Sequence, residues 1–316
     1  RSTHLGHSFP HDALPIFTLA KARINKENYG LLFISPFFIT FLIFQLYPMI
    51  YSFFVSFLKW DGMSKNAKFI GLANYKRLFT DQIFIKTIAN TWIMWLGGVI
   101  PQMILALTLA VVLNEARLKG KDVFRAVYFF PNLVTATSIG ILFAFLFDWQ
   151  AGSVNKILLN IHLIKDPINF LMSENYSRGI VSFTSFWMWF GYSMIIFMAG
   201  IKNIPEELYE AAKVDGASKR QVFWSITIPL LRPTILFSFI TSLIGGMQAF
   251  DIPYALSKGA GDPNNATMTM VMYLYRTAFV NNNYGYGAAV GYALFVIILV
   301  FAIISFKFIN RNSDYE

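Results

Sequence analysis

The sequence predicts an all-α, polytopic membrane protein with six transmembrane helices, and three observations carry that prediction. Charged residues make up only 14% of the 316, against 56% hydrophobic, whereas an average soluble domain is about a quarter charged. A soluble domain cannot hide so much apolar surface, which excludes an ordinary cytosolic enzyme. Second, the charges separate six charge-free runs of at least 18 residues: Gly30–Leu58, Thr87–Asn114, Ala126–Phe147, Gly179–Ile201, Pro233–Phe250 and Thr277–Phe306. Each suffices for a hydrocarbon core, which needs about 20 mostly apolar residues in a helix. Third, no run alternates apolar and polar residues over ~10 positions, as barrel strands do. Backbone groups in lipid must then be satisfied within each segment, so the runs are helices.

Six spans place both termini on one side of the membrane. Of the 26 Lys and Arg, fifteen fall in the tails and the second and fourth connections, which predicts cytoplasmic termini. Prolines lie within spans at Pro36, Pro48, Pro101 and Pro131, with glycine pairs at Gly97–Gly98 and Gly245–Gly246. These positions read either as functional bends or as ordinary kinks. Gly285, Gly287, Ala288, Ala289, Gly291 and Ala293 give the last span a small-residue face suited to close helix packing. Residues 1–16 hold three of the four histidines, His4, His7 and His11. Their positions match no metal-ligand spacing, and this stretch is expected to be a mis-set start or a cloning remnant. The first apolar run is too long for a signal peptide.

The most informative segment lies between the fourth and fifth runs. Pro205 suits the first turn of a helix, and Glu206 and Glu207 complement the positive end of its dipole. Gly216 is a natural stop. Ser218 with Gln221 has the form of a capping box, starting a second short helix that Pro229 bounds. On the first helix Leu208, Ala211 and Ala212 share one face, where the alanines let a partner's backbone approach. Glu210-Ala211-Ala212, then Gly216, then Ile226-x-Ile228-Pro229 resembles the EAA loop of binding-protein-dependent ABC importer permeases, with Ile228 in place of the usual Leu. Phe69–Tyr75, Gln248–Tyr254, Thr269–Phe279 and Tyr286–Ala289 resemble the carbohydrate-type members, which import sugars, glycerol phosphate and related solutes. Gly259-Ala-Gly-Asp-Pro263 departs from the Gly-Gly-Pro usual there.

The resemblance covers residues 29–308 and implies a type I ABC importer permease (MetI-like) bundle. On that reading residues 1–28 are a cytoplasmic tail, 29–308 the permease domain with its coupling loop at 202–229, and 309–316 a C-terminal tail. It further implies a second permease subunit, two copies of a cytoplasmic ABC ATPase, and an extracytoplasmic solute-binding protein. Glu210, Ala211, Ala212, Gly216, Ile226 and Pro229 would then be the ATPase-coupling residues. The chain needs no cofactor of its own. Gly120-Lys121 is followed by Asp122, and Glu115 stands where a phosphate-binding loop needs its first glycine, so ATP and Mg belong to the partner ATPase.

Candidates for the solute path are weaker. Gln248, Asp251 and Tyr254 fall at i, i+3 and i+6 near the outer end of the fifth span, offering acceptors beside apolar rings. The same face serves equally for interhelical hydrogen bonding. Trp187, Trp189 and Tyr192 on the fourth span could stack on sugar faces or simply pack, and Asn132 is a lesser candidate. The alternative function is an ion-coupled secondary transporter, but the six runs carry no Asp, Glu, Lys or Arg of the kind such transporters place near midspan. A membrane enzyme would need clustered acids or paired histidines, and outside the first residues only His162 is available. No basic block marks a nucleic-acid partner.

Overall fold

The computed structural model describes residues 26–64, 67–114 and 120–310. The histidines of the N-terminal tail, most of both tails, and Glu115 lie outside the described residues. Those described are helical nearly throughout. Helix α1 (Lys26–Phe41) passes through a π-helical turn, Leu42–Leu46, into α2 (Tyr47–Val55). A short antiparallel ribbon follows, β1 (Leu58–Lys59) with β2 (Lys68–Phe69), then α3 (Ala73–Leu78) and the long α4 (Gln82–Asn114). Next come α5 (Lys121–Leu133), α6 (Ala136–Leu146), α7 (Ser153–Asn160) and α8 (Glu174–Lys202). A hairpin of α9 (Glu206–Val214) and α10 (Lys219–Val222) leads through a second π turn, Phe223–Thr227, into α11 (Ile228–Met247). The chain ends with α12 (Asp251–Leu256), α13 (Met270–Tyr275) with its π turn Arg276–Val280, and α14 (Tyr284–Asn310). Residues up to Tyr51 and those from Ser52 onward form two compact units. The second unit holds both candidate sites.

Five stretches are long and apolar enough to cross a membrane: Gly30–Val55, Gln82–Asn114, Glu174–Lys202, Lys219–Leu256 and Tyr284–Lys307. The third expected span, Ala126–Phe147, is not one helix, because α5 and α6 meet at 91°. Thr135 is extended (φ −63°, ψ 139°) and its side chain accepts from the Ser138 N–H. That cap starts a new helix just after Pro131 instead of prolonging the old one. The last span opens at Tyr284, not Thr277, which lies in the π turn that closes α13.

Pro229 does not bound the second hairpin helix. It sits in the first turn of α11, and the π turn before it carries α10 onward, with the Ile228 N–H reaching back to the Phe223 carbonyl. A widened turn gives room where a proline ring would press on the carbonyl four residues earlier. Pro48 follows its own π turn at the same two-residue offset.

Helices α4 and α8 form the central pair. Ala106, Ala110 and Leu113 of α4 pack with Met194, Phe197 and Ile201 of α8 and Leu231 of α11. The Gly97–Gly98 pair lies inside uninterrupted α4, facing Ser182 of α8, where it lets the two helices pack closely. Gly191 lets α5 rest on α8. A Cβ there would stand 1.9 Å from the Tyr128 carbonyl oxygen.

Two polar networks fix the end of this unit opposite the hairpin. Asp81 caps α4 by accepting from the Ile83 and Phe84 N–H groups, both at 3.1 Å, and its Oδ2 accepts from Tyr273 Oη (2.5 Å) and Tyr286 Oη (2.7 Å). Partial burial opposes ionisation, but these hydrogen bonds outweigh it and hold the Asp81 carboxyl below the usual carboxylate range. Burial, then the bond to Asp81, pushes the Tyr273 phenol up to about 12. In the second network, buried Asn90 donates to the carbonyls of Asn265 (2.6 Å) and Met268 (3.1 Å) and accepts from Arg178 Nε (3.1 Å). Arg178 also pairs with Glu174 at 3.1 Å, and Glu174 accepts from Asn264 at 2.8 Å. The connection before α13 is thereby pinned onto α4 and α8.

Candidate functional site

The hairpin folds as its residues dictate. Helix α9 has no buried residue, and Val214 is 87% exposed. It ends in a Schellman turn: the Ala217 N–H reaches the Ala212 carbonyl (2.9 Å), the Gly216 N–H reaches Lys213 (3.2 Å), and Gly216 adopts φ +74°. Any other residue would be strained at Gly216. Both bonds of the expected capping box, Ser218 with Gln221, are present. Glu210 and Ala211 are exposed, while Ala212, Ile226 and Pro229 are half-buried. Tyr209 Oη lies 3.2 Å from Thr227 Oγ1, a polar link from α9 to the π turn that begins the fifth span. A displacement of α9 therefore has a direct route into the bundle.

The second site is a cavity of about 330 Å³ between α4, α8 and α11, within the range of small-molecule sites. Gln248 and Asp251 both line it, as do Tyr192 and Trp189. They meet for a different reason than helical periodicity. Helix α11 stops at Met247, Phe250 leaves helical geometry (φ −133°, ψ −57°), and α12 restarts at Asp251. That break turns Tyr254 away from the cavity. Its ring stacks on Phe250 at 4.8 Å and meets Tyr275 edge-on at 6.1 Å. Trp187 packs against Phe143 at 5.6 Å in an apolar cluster, and half-buried Asn132 does not line the cavity either.

Sequence reasoning missed Gln102 and Ser193, joined across α4 and α8 at 2.8 Å, and Trp95, whose Nε1 lies 3.3 Å from Ser242 Oγ. All four line the cavity. Gln102 carried a usable signal, because an amide amid an apolar span must find a polar partner.

Residues 102–314 match the family described as binding-protein-dependent transport system inner membrane component. The chain belongs to that family. It is 37% identical over 278 residues to the lactose transport system permease protein LacF of Rhizobium radiobacter, covering 88% of this chain and 91% of the relative. It is 35% identical over 284 residues to the arabinooligosaccharides transport system permease protein AraP of Bacillus subtilis, covering 90% and 89%. Among solved structures it resembles a chain of a bacterial alginate ABC transporter in complex with an alginate pentasaccharide-bound periplasmic protein. That match has a TM-score of 0.78 at 24% identity and covers 92% of this chain and 96% of the other, which shows the fold. This permease is thus a multi-pass membrane protein with the importer bundle its sequence resembles. Nothing in these matches favours the ion-coupled alternative.

Proposed function

We propose that this permease forms the membrane path of an ATP-driven importer of sugars or related solutes, with hydrolysis performed by a separate ATPase. The observation that carries the reading is the α9–α10 hairpin, an exposed helix held by a Schellman turn and linked through Tyr209 to the fifth span. Its small residues suit close docking into a protein cleft. The sugar-transport relatives support the substrate class. In this reading Glu210, Ala211, Ala212 and Gly216 contact the ATPase, while Ile226 and Pro229 hold the hairpin's base. Two such hairpins, one from a second permease subunit, are drawn together when two ATPase copies close on ATP, and the bundle turns outward. An extracytoplasmic binding protein then delivers solute to the cavity containing Gln248, Asp251 and Tyr192. The tails and the hairpin face the cytoplasm.

Substituting Gly216→Asp or Ala212→Asp in the assembled transporter tests this in proteoliposomes. Membrane insertion is expected to persist while ATP-driven uptake is lost. Normal uptake by either variant would overturn the proposal.

A further inference from the structure

Resting on the reading of the cavity as the solute path, we infer that the path selects by charge: Asp251 admits neutral and cationic sugars and rejects sugar acids. Among the described residues lining the cavity, Asp251 is the one charged side chain, with no Lys, Arg or His beside it. It is exposed at the start of α12, just after the break that ends α11, and lines the cavity. Thr137 Oγ1 lies 3.4 Å from its carboxylate, and carboxylates that do hold cations, Glu174 with Lys86 and Arg178 and Asp122 with Arg125, are outside the cavity lining.

The surrounding wall is largely apolar and aromatic, including Trp95, Trp189 and Phe250. A single charge in a cleft with low-dielectric walls sets the potential throughout it. Gln102, Ser193, Ser242 and Gln248 serve hydroxyl groups without preference for charge, since amides and hydroxyls both donate and accept. Asp251 adds the preference. An ammonium on the solute gains a charge-assisted bond, and a carboxylate a few ångströms away is disfavoured by about tenfold or more.

The chain contains no cysteine, so Gln248→Cys places one thiol of this chain in the cavity, three residues before Asp251. The full transporter is studied in membrane vesicles, and labelling of this chain is followed by methanethiosulfonate reagents. One carries trimethylammonium and one sulfonate, with each rate divided by that for free mercaptoethanol. The normalised cation-to-anion ratio is expected to be about tenfold or more. It should fall towards one with Asp251→Asn and persist with Asp251→Glu. Glucosamine disaccharide should also shield the thiol at a concentration about tenfold lower than galacturonate disaccharide. Equal normalised rates, a ratio unmoved by Asp251→Asn, or shielding by neither sugar or by both alike would overturn charge selection. A thiol that neither reagent reaches, with or without ATP, would instead overturn the cavity as the path, and the inference with it.

Discussion

Replacing Asp81 with alanine should unfasten the end of the bundle that carries α3 and α13. The variant loses four hydrogen bonds, two from the first amides of α4 and two from tyrosine hydroxyls. Loss of an aspartate cap costs about 1 kcal/mol. Tyr286 is fully buried and Tyr273 is 7% exposed. A stranded buried hydroxyl costs about 1–3 kcal/mol. Asp81 itself is only partly buried, so water can enter the vacated place, and the lower figure of about 1 kcal/mol per hydroxyl applies. The total of about 3 kcal/mol corresponds to a fall in melting temperature of about 6–12 °C, at 2–4 °C per kcal/mol for a domain near this size. Tryptophan fluorescence of the purified full-length protein in detergent, heated at neutral pH, measures it. Asp81→Asn keeps acceptor oxygen and should lose roughly half as much. An Asp81→Ala protein that melts within about one degree of wild type would refute the clasp. The pH dependence follows in sign. Folding lowers the Asp81 pKa, so its contribution is complete at neutral pH and is lost as pH falls through and below the ordinary carboxylate range. Folding raises the Tyr273 pKa from 10.0 to about 12, so that phenol's contribution is complete below 10 and declines between 10 and about 12.

Gly191→Ala should destabilise by about 1–3 kcal/mol or more, because the new methyl meets the Tyr128 carbonyl and α5 must shift as a body. Gly179→Ala on the same helix meets nothing within 4 Å, so its melting temperature should not fall. A matching loss in both variants would refute the close-approach argument. Asn90→Leu should loosen the connection 261–269 by stranding the carbonyls of Asn265 and Met268, while Arg178 loses one acceptor and keeps Glu174 and the Ala266 carbonyl. Hydrogen exchange in that segment should quicken by tenfold or more, about 1.4 kcal/mol, and unchanged protection would count against the network.

What was legible in the sequence followed the physics of each signal. Apolar run length is a summed property, and it located five spans well because lipid offers the backbone no alternative to helix. The third run exposed its limit. Ala126–Phe147 is apolar enough to cross, yet Thr135 and Ser138 supply a local cap that hydropathy averages away. The hairpin was the most legible element because its determinants are local: Gly216 alone tolerates φ +74°, and Ser218 and Gln221 satisfy each other's backbone. Pro229 misled because a proline ends a regular α-helix, whereas a π turn before it lets the helix continue.

The cavity was legible only in part, and the reason bears on how such a path works. Gln248 and Asp251 were found through an i, i+3 spacing that the structure does not use, since the helix breaks between them. The same break sends Tyr254 into an aromatic stack. A continuous helix would have spent its backbone groups internally and placed three side chains in a row. The broken one frees Phe250 to leave helical geometry and sets an acidic side chain at the new start. Gln102 and Ser193, by contrast, meet because α4 and α8 pack side by side along their length. No pattern within either segment encodes that register. A site assembled from one broken helix and two packed ones is therefore defined by breaks and contacts between segments, and local sequence can name its residue types before it can name their neighbours.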